Sequence, residues 1–128
     1  MIDVTCGIIF KDEKILVAQR SPNMSMPLKW EFPGGKIELF ETEENCLRRE
    51  ILEELNLEIA IVAKLTPNIH EYPTLSIRLI PFVANYLRGE IKLSEHSAYK
   101  FLYLEELPNL DWAEADIPIL KEFLEKYS

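Results

Sequence analysis

Glycine is scarce in this chain, four in 128 residues, and two of the four stand together at Gly34-Gly35. That scarcity excludes Gly/Ser linkers and glycine-based repeats. Cysteine is limited to Cys6 and Cys46, with no CxxC pairing. A disulfide framework is excluded, and reduced thiols in a reducing compartment are expected. Positive charge is short too: 14 Lys and Arg against 22 Asp and Glu leave a net charge of −8. A nucleic-acid polymer or an anionic membrane would each require a basic face, so neither is expected as a partner. The opening Met1-Ile2-Asp3 reaches the charged Lys11-Asp12-Glu13-Lys14 after one short apolar run, which resembles neither a signal peptide nor a membrane span. The expected location is the cytoplasm.

What is present is apolar enough for a core: 48% of the residues are hydrophobic, sufficient for one domain over 1–128 and too few for two. Residues 4–10 and 14–19 read as strands joined by a polar turn, and 58–66 and 99–104 as further strands. Residues 75–87 read as a longer strand that Pro81 must bend or place at an edge, ending at the turn signal Arg88-Gly89. Helices are predicted over 43–55, with Thr42 as N-cap, and over 117–126. Strands and helices interleave irregularly, which predicts an α/β fold with a mixed sheet between helices rather than a regular parallel repeat.

The most informative stretch is Gly35-Lys36-Ile37-Glu38-Leu39-Phe40-Glu41, then seven residues, then Arg49-Glu50-Ile51-Leu52-Glu53-Glu54-Leu55-Asn56-Leu57. On a helix, Glu50, Glu53 and Glu54 fall within roughly a 100° arc of one face. Like charges so spaced repel, so the face is either simply solvated or neutralised by a cation. Carboxylate oxygens with no Cys or His nearby suit a hard ion, Mg²⁺ or Mn²⁺. Arg49 lies one turn before Glu53, close enough to pair with it and restrict its rotamers. Ahead of the helix, Gly34 and Gly35 let the backbone approach an ion or phosphate closely.

The whole pattern resembles the signature of the Nudix (MutT-like) hydrolases, matched at Gly35, Glu41, Arg49, Glu50, Ile51, Glu53, Glu54 and Leu57. One position departs, Asn56 in place of glycine. Asn is the commonest non-glycine residue in the left-handed conformation that follows a last helical turn, so the departure reads as structural. The resemblance covers nearly the full length and implies an α/β/α sandwich around a mixed sheet. It also implies that Glu50, Glu53 and Glu54 hold the ions together with the Gly34 carbonyl, that Arg49 and Glu41 organise them, and that Glu95, in a polar loop outside the signature, completes the metal site or helps activate water. An exposed loop carboxylate is the plain alternative for Glu95. His96 beside it reads as solvent-exposed and idle, and His70 as weaker still.

Other residues could bind substrate. Arg20 and Lys36 are cations to place near phosphates or, equally, on the surface. Phe32 either stacks under a base or fills the core, the latter being commoner for a strand aromatic. Asp116 precedes Ile117-Pro118 as a natural helix N-cap, yet similar enzymes use Asn or Asp here to read the base. The stretch Ala115-Asp116-Ile117-Pro118, with Leu16-Val17-Ala18-Gln19-Arg20, resembles the CTP pyrophosphohydrolase branch of the family. An ionised Asp only accepts, which matches an exocyclic amine such as cytosine N4, though adenine and guanine carry amines too.

The resemblance thus implies a Mg²⁺-dependent nucleoside triphosphate pyrophosphohydrolase, with Mn²⁺ able to substitute, that releases a nucleoside monophosphate and pyrophosphate. Cytidine nucleotides and modified or oxidised nucleotides are the candidate substrates, and the chain is expected as a monomer or homodimer. Hydrolysis of dinucleoside polyphosphates or nucleotide sugars is the alternative. A non-catalytic recognition module is a third reading, disfavoured because such modules usually lose the glutamates retained here.

Overall fold

The strands of this chain are apolar on both sides, and the architecture follows from that. A computed structural model describes residues Met1–Ser128. In β1 (Ile2–Lys11), β2 (Lys14–Gln19) and β7 (Leu75–Arg88), side chains alternate between two separate cores. Ile8, Ile15, Val17, Leu79 and Val83 meet Ile119, Leu120 and Phe123 of α2 (Ile117–Tyr127). Ile9, Leu16, Ile80, Phe82 and Ala84 meet Leu47, Ile51 and Leu55 of α1 (Glu43–Leu55) on the other face. A sheet covered on both faces needs two apolar layers, which gives the expected three-layer α/β/α order. No helix is long and apolar enough to cross a membrane.

The sheet is mixed. Its main path runs β3 (Trp30–Glu31), β2, β1, β7, β5 (Glu58–Lys64); β4 (Gly34–Lys36) pairs with β1, β6 (Asn68–Tyr72) with β7, and β8 (Ala98–Leu102) with β2. Only β1 and β7 run parallel. The β1–β2 hairpin turns through Asp12 and Glu13 at φ 51° and 68°, the left-handed pair that a tight hairpin demands, here without glycine.

Several expected boundaries are corrected. The strand predicted over 58–66 ends at Lys64, where the chain turns away to start β6, and the one predicted over 99–104 ends at Leu102, because Leu104–Asn109 winds into a 3₁₀ turn. Strands β3, β4 and β6 are too short or too polar to have been read from periodicity. Pro81 is not at an edge: it sits mid-sheet opposite Cys6 of β1. Its carbonyl accepts from the Leu65 N–H (3.0 Å) in the gap between the residues of β7 paired with β6 and those paired with β5. The N–H and C=O of a strand residue point the same way, so the missing proline donor falls where no strand strictly needs it.

Helix α1 is closed at both ends by side chains named from the sequence. Thr42 Oγ1 accepts from the Asn45 N–H (3.1 Å). At the other end Asn56 adopts φ 61°, ψ 33°, and its N–H reaches Leu52 O (2.9 Å). Its side-chain amide also donates to Glu90 O (3.0 Å), tying the 89–97 loop to the helix end. Asn56→Gly is therefore expected to alter stability by no more than about 0.5 kcal/mol, relief at positive φ offsetting one exposed hydrogen bond. Asn56→Ala has no such relief and should cost about 1 kcal/mol or more, measurable by urea unfolding.

Candidate active site

The outward face of α1 is organised by one guanidinium. Arg49 forks onto Glu41, with Nε to Oε2 at 2.5 Å and Nη2 to Oε1 at 2.9 Å. Its Nη1 donates to Glu50 Oε1 (2.7 Å) and Glu53 Oε2 (3.2 Å), and Nη2 reaches Lys36 O (3.2 Å). The Arg49 hydrogen bonds, aided by the Glu38 N–H, hold the Glu41 carboxyl down at about 2. One cation thereby fixes three carboxylates and the loop ahead of the helix.

The glycines are required by close approach. A Cβ on Gly35 would lie 2.2 Å from the Glu50 carboxyl, and one on Gly34 would lie 2.0 Å from Thr5 O. The loop lies directly against the helix carboxylates because nothing projects from these two residues.

Glu54 differs from its neighbours. Its side chain is 15% exposed, and Oε2 is buried without a hydrogen-bond partner. Burial, reinforced by the charges of Glu50, Glu31 and Glu95, pushes its carboxyl up to about 9. The lid over it is residues 89–97, which use the free carbonyls at the C-terminus of α1: Lys92 N–H bonds Leu55 O (3.1 Å) and Ser94 N–H bonds Glu54 O (3.1 Å). That docking brings exposed Glu95 to the rim and turns His96 inward.

A cavity of about 820 Å³ runs from this ridge into the sheet. Glu50, Glu53, Glu54, Glu95, Gly34 and Lys36 line one part of it; Arg20, Phe32 and Asp116 line the other, beside Tyr72. All the candidate metal-holding and substrate-binding residues named from the sequence thus share one space, and Arg49 backs it together with Glu41. No three carboxylate, imidazole or thiol groups converge into a preformed metal cage, because Arg49 draws Glu50 and Glu53 towards itself. The donors nevertheless suit a hard divalent ion: oxygens only, one of them buried and unpartnered, beside a cradle that a Cβ would fill.

The inner end corrects three expectations. Asp116 does not cap α2: its backbone is helical (φ −82°, ψ −20°) and no side-chain cap bond forms. Instead its buried Oδ2 accepts from the Phe32 N–H (2.9 Å), and burial, with Glu31 nearby, raises its carboxyl well above the usual range. Phe32, by contrast, is core, the commoner of its two expected readings, packed on Trp112 with ring centroids 4.7 Å apart. Arg20 is not free for phosphate: Nη1 pairs with Glu31 Oε1 (2.8 Å), and Nε and Nη2 hold Ser25 at 2.6 and 3.1 Å. Lys36 keeps an exposed side chain without an ion-pair partner. The third correction is His96, which is not exposed: its side chain is 1% exposed and Nε2 meets Glu31 Oε2 at 2.8 Å. Sequence reasoning passed over Glu31 and misjudged His96, because the burial of both depends on the docked loop and not on any local pattern. His70 pairs with Glu114 at the surface (3.1 Å).

Comparison with known proteins accords with this geometry. Residues 1–123 match the NUDIX domain model. The chain is 35% identical over 124 residues to the CTP pyrophosphohydrolase of Escherichia coli (strain K12), covering 97% of this chain and 92% of that protein. It is 35% identical over 116 residues to the putative 8-oxo-dGTP diphosphatase 2 of Mycobacterium tuberculosis (strain H37Rv), covering 88% and 81%. The solution structure of the E. coli ORF135 protein superposes with a TM-score of 0.86 at 34% identity, over 98% of this chain and 89% of that one. With the signature residues gathered on one helix face and the family's domain matched almost end to end, the chain belongs to the Nudix family of hydrolases.

Proposed function

We propose that this chain, as one domain over 1–128, is a divalent-cation-dependent nucleoside triphosphate pyrophosphohydrolase that releases a nucleoside monophosphate and pyrophosphate, with cytidine nucleotides or their modified or oxidised analogues as substrates. The observation that carries this reading is the single cavity joining a carboxylate ridge to a partly apolar inner end where buried Asp116 sits. Polyphosphate fits the first and a base the second. The resemblance of the chain to a CTP pyrophosphohydrolase and to a putative 8-oxo-dGTP diphosphatase supports the same substrate class.

Glu50, Glu53, Glu54 and the Gly34 carbonyl, with Glu95 at the rim, would hold Mg²⁺ or Mn²⁺. Such ions, when bound, neutralise polyphosphate charge and lower the pKa of a bound water. Arg49 keeps Glu50 and Glu53 from wandering and, by its grip on Glu41, holds the glycine loop against them. Lys36, the unpaired cation at the cavity wall, is placed to meet phosphate oxygens. At the inner end Phe32 N–H holds one Asp116 oxygen so that the carboxyl cannot rotate away, leaving the other to meet the base edge, as acceptor of an amine when ionised and as donor to a keto oxygen or ring nitrogen when protonated.

A nucleotide panel tests this reading. Hydrolysis should require Mg²⁺ or Mn²⁺, disappear in excess chelator, and yield monophosphate and pyrophosphate. Full turnover in chelator would defeat the metal assignment. Faster cleavage of a nucleotide sugar or dinucleoside polyphosphate than of any triphosphate would shift the substrate class while leaving the family intact.

A further inference from the structure

Two buried side-chain nitrogen or oxygen atoms in this chain have no hydrogen-bond partner, Glu54 Oε2 and His96 Nδ1, and they face each other at 4.0 Å. Buried polar atoms are nearly always satisfied, so an orphaned pair in mutual contact calls for a cause. The gap is too wide for a direct hydrogen bond. The imidazole cannot drift to close it. Glu31 Oε1 is held by Arg20 (2.8 Å), and Glu31 Oε2 sits 2.8 Å from His96 Nε2. A carboxylate paired with Arg only accepts, so Nε2 carries a proton and the Nδ1 edge is the one turned to Glu54. The backbone is pinned on both sides of the ring, by Ser94 N–H on Glu54 O (3.1 Å) and by Ser97 N–H on Gln19 O (2.9 Å).

We propose that His96 is a positioning residue that acts on both ends of the cavity, its Nδ1 edge setting the place of the Glu54 carboxyl and its Nε2–H holding Glu31 beside the base end. The inference rests on the role given to Glu54 above. Glu31 in turn is a positioning residue acting through the ring, linking the Arg20–Ser25 loop to α1. The link makes the reacting end and the base end one rigid assembly. A misplacement of Glu54 by about 1 Å is enough to lower turnover greatly without touching substrate binding.

Two conservative variants separate the two edges of the ring. His96→Gln can keep an amide donor on Glu31 but puts no polar atom at the Nδ1 position; kcat should fall about tenfold or more, with KM and base preference within about twofold of the parent. His96→Asn keeps a polar atom near Glu54 and releases Glu31; kcat should hold better than in His96→Gln, while KM rises and base preference narrows. A ring that merely fills space would lower thermal stability in both and leave kcat and KM of the folded fraction unchanged, which overturns the proposal. Nitrogen NMR of the metal-free protein supplies a reading independent of turnover: His96 should show a protonated Nε2, and Glu54→Gln should shift the Nδ1 resonance while sparing Nε2. A protonated Nδ1 with bare Nε2, or an Nδ1 signal blind to Glu54→Gln, overturns it. If Glu54→Gln hydrolyses substrate at the parent rate, the role of Glu54 itself fails; if Glu54→Gln is inactive and His96→Gln matches the parent, only the inference about His96 fails.

Discussion

Glu54→Gln is expected to lose hydrolysis by a factor on the order of 10² or more and, without metal, to become more stable than the parent. The two effects share one origin. A carboxyl buried without a partner among Glu50, Glu31 and Glu95 must take up a proton on folding, which costs the metal-free fold free energy at any pH above the ordinary 4.5. Replacing it by a neutral amide of the same shape, which needs no proton, removes that cost, on the order of 1 kcal/mol per pH unit above the ordinary value, or several degrees in Tm at neutral pH for a chain of this size. The pH dependence has a definite sign. With the folded value near 9, against an ordinary 4.5, the folded state holds the proton more tightly than the unfolded chain. The contribution of Glu54 to stability is therefore fully present below about 4.5 and is lost as pH rises through about 9. Thermal melts in chelator across that range should fall less steeply for Glu54→Gln than for the parent. A variant that is both inactive and destabilised at pH 8 would mean that Glu54 is satisfied in the free protein. Glu53→Gln should lose activity comparably but gain no stability, since Glu53 is half exposed and already paired with Arg49.

The second large effect is expected at Asp116, where structure and specificity meet. Asp116→Ala leaves the buried Phe32 N–H without an acceptor, costing about 1–3 kcal/mol of stability. If the same carboxyl reads an exocyclic amine, kcat/KM for cytosine nucleotides should fall relative to uracil nucleotides by a comparable 1–3 kcal/mol, roughly 5- to 150-fold. Asp116→Asn isolates the second effect: its amide oxygen can still accept from Phe32 N–H, so the fold should be kept while an added donor shifts preference towards a keto edge. Base preference unchanged in Asp116→Asn, with hydrolysis intact, would make Asp116 a structural residue only and remove the main reason for favouring a cytidine nucleotide.

Much of this site was legible in one dimension because its core is one helix and the loop before it. Helical spacing alone puts Glu50, Glu53 and Glu54 on one face, and the Arg49–Glu53 pair, the Thr42 cap and the left-handed Asn56 are all contacts within a few residues. Local geometry does not depend on where the rest of the chain goes. The alternating apolar runs of β1, β2 and β7 likewise determine a sheet buried on both faces, whatever its strand order.

Contacts across long sequence separations were decided elsewhere. Asp116 looks like an N-cap from its neighbours Ile117 and Pro118, but the arrival of β3 places Phe32 N–H within its reach, and a buried donor without another acceptor outweighs an exposed cap. Arg20 looks like a free cation until Glu31 is brought beside it. Pro81 belongs inside the sheet only because β5 and β6 leave a gap on one side of β7. His96 reads as a loop residue, and its burial between Glu31 and Glu54 exists only because the loop bonds the last carbonyls of α1. The sequence by itself determined the helix, its carboxylate face and the two-sided sheet, since each is a matter of spacing along the chain. Tertiary structure decided which polar groups are desolvated together, and with that the unusual carboxyls of Glu54 and Asp116, because desolvation depends on everything that packs around a group and not on what precedes it in the chain.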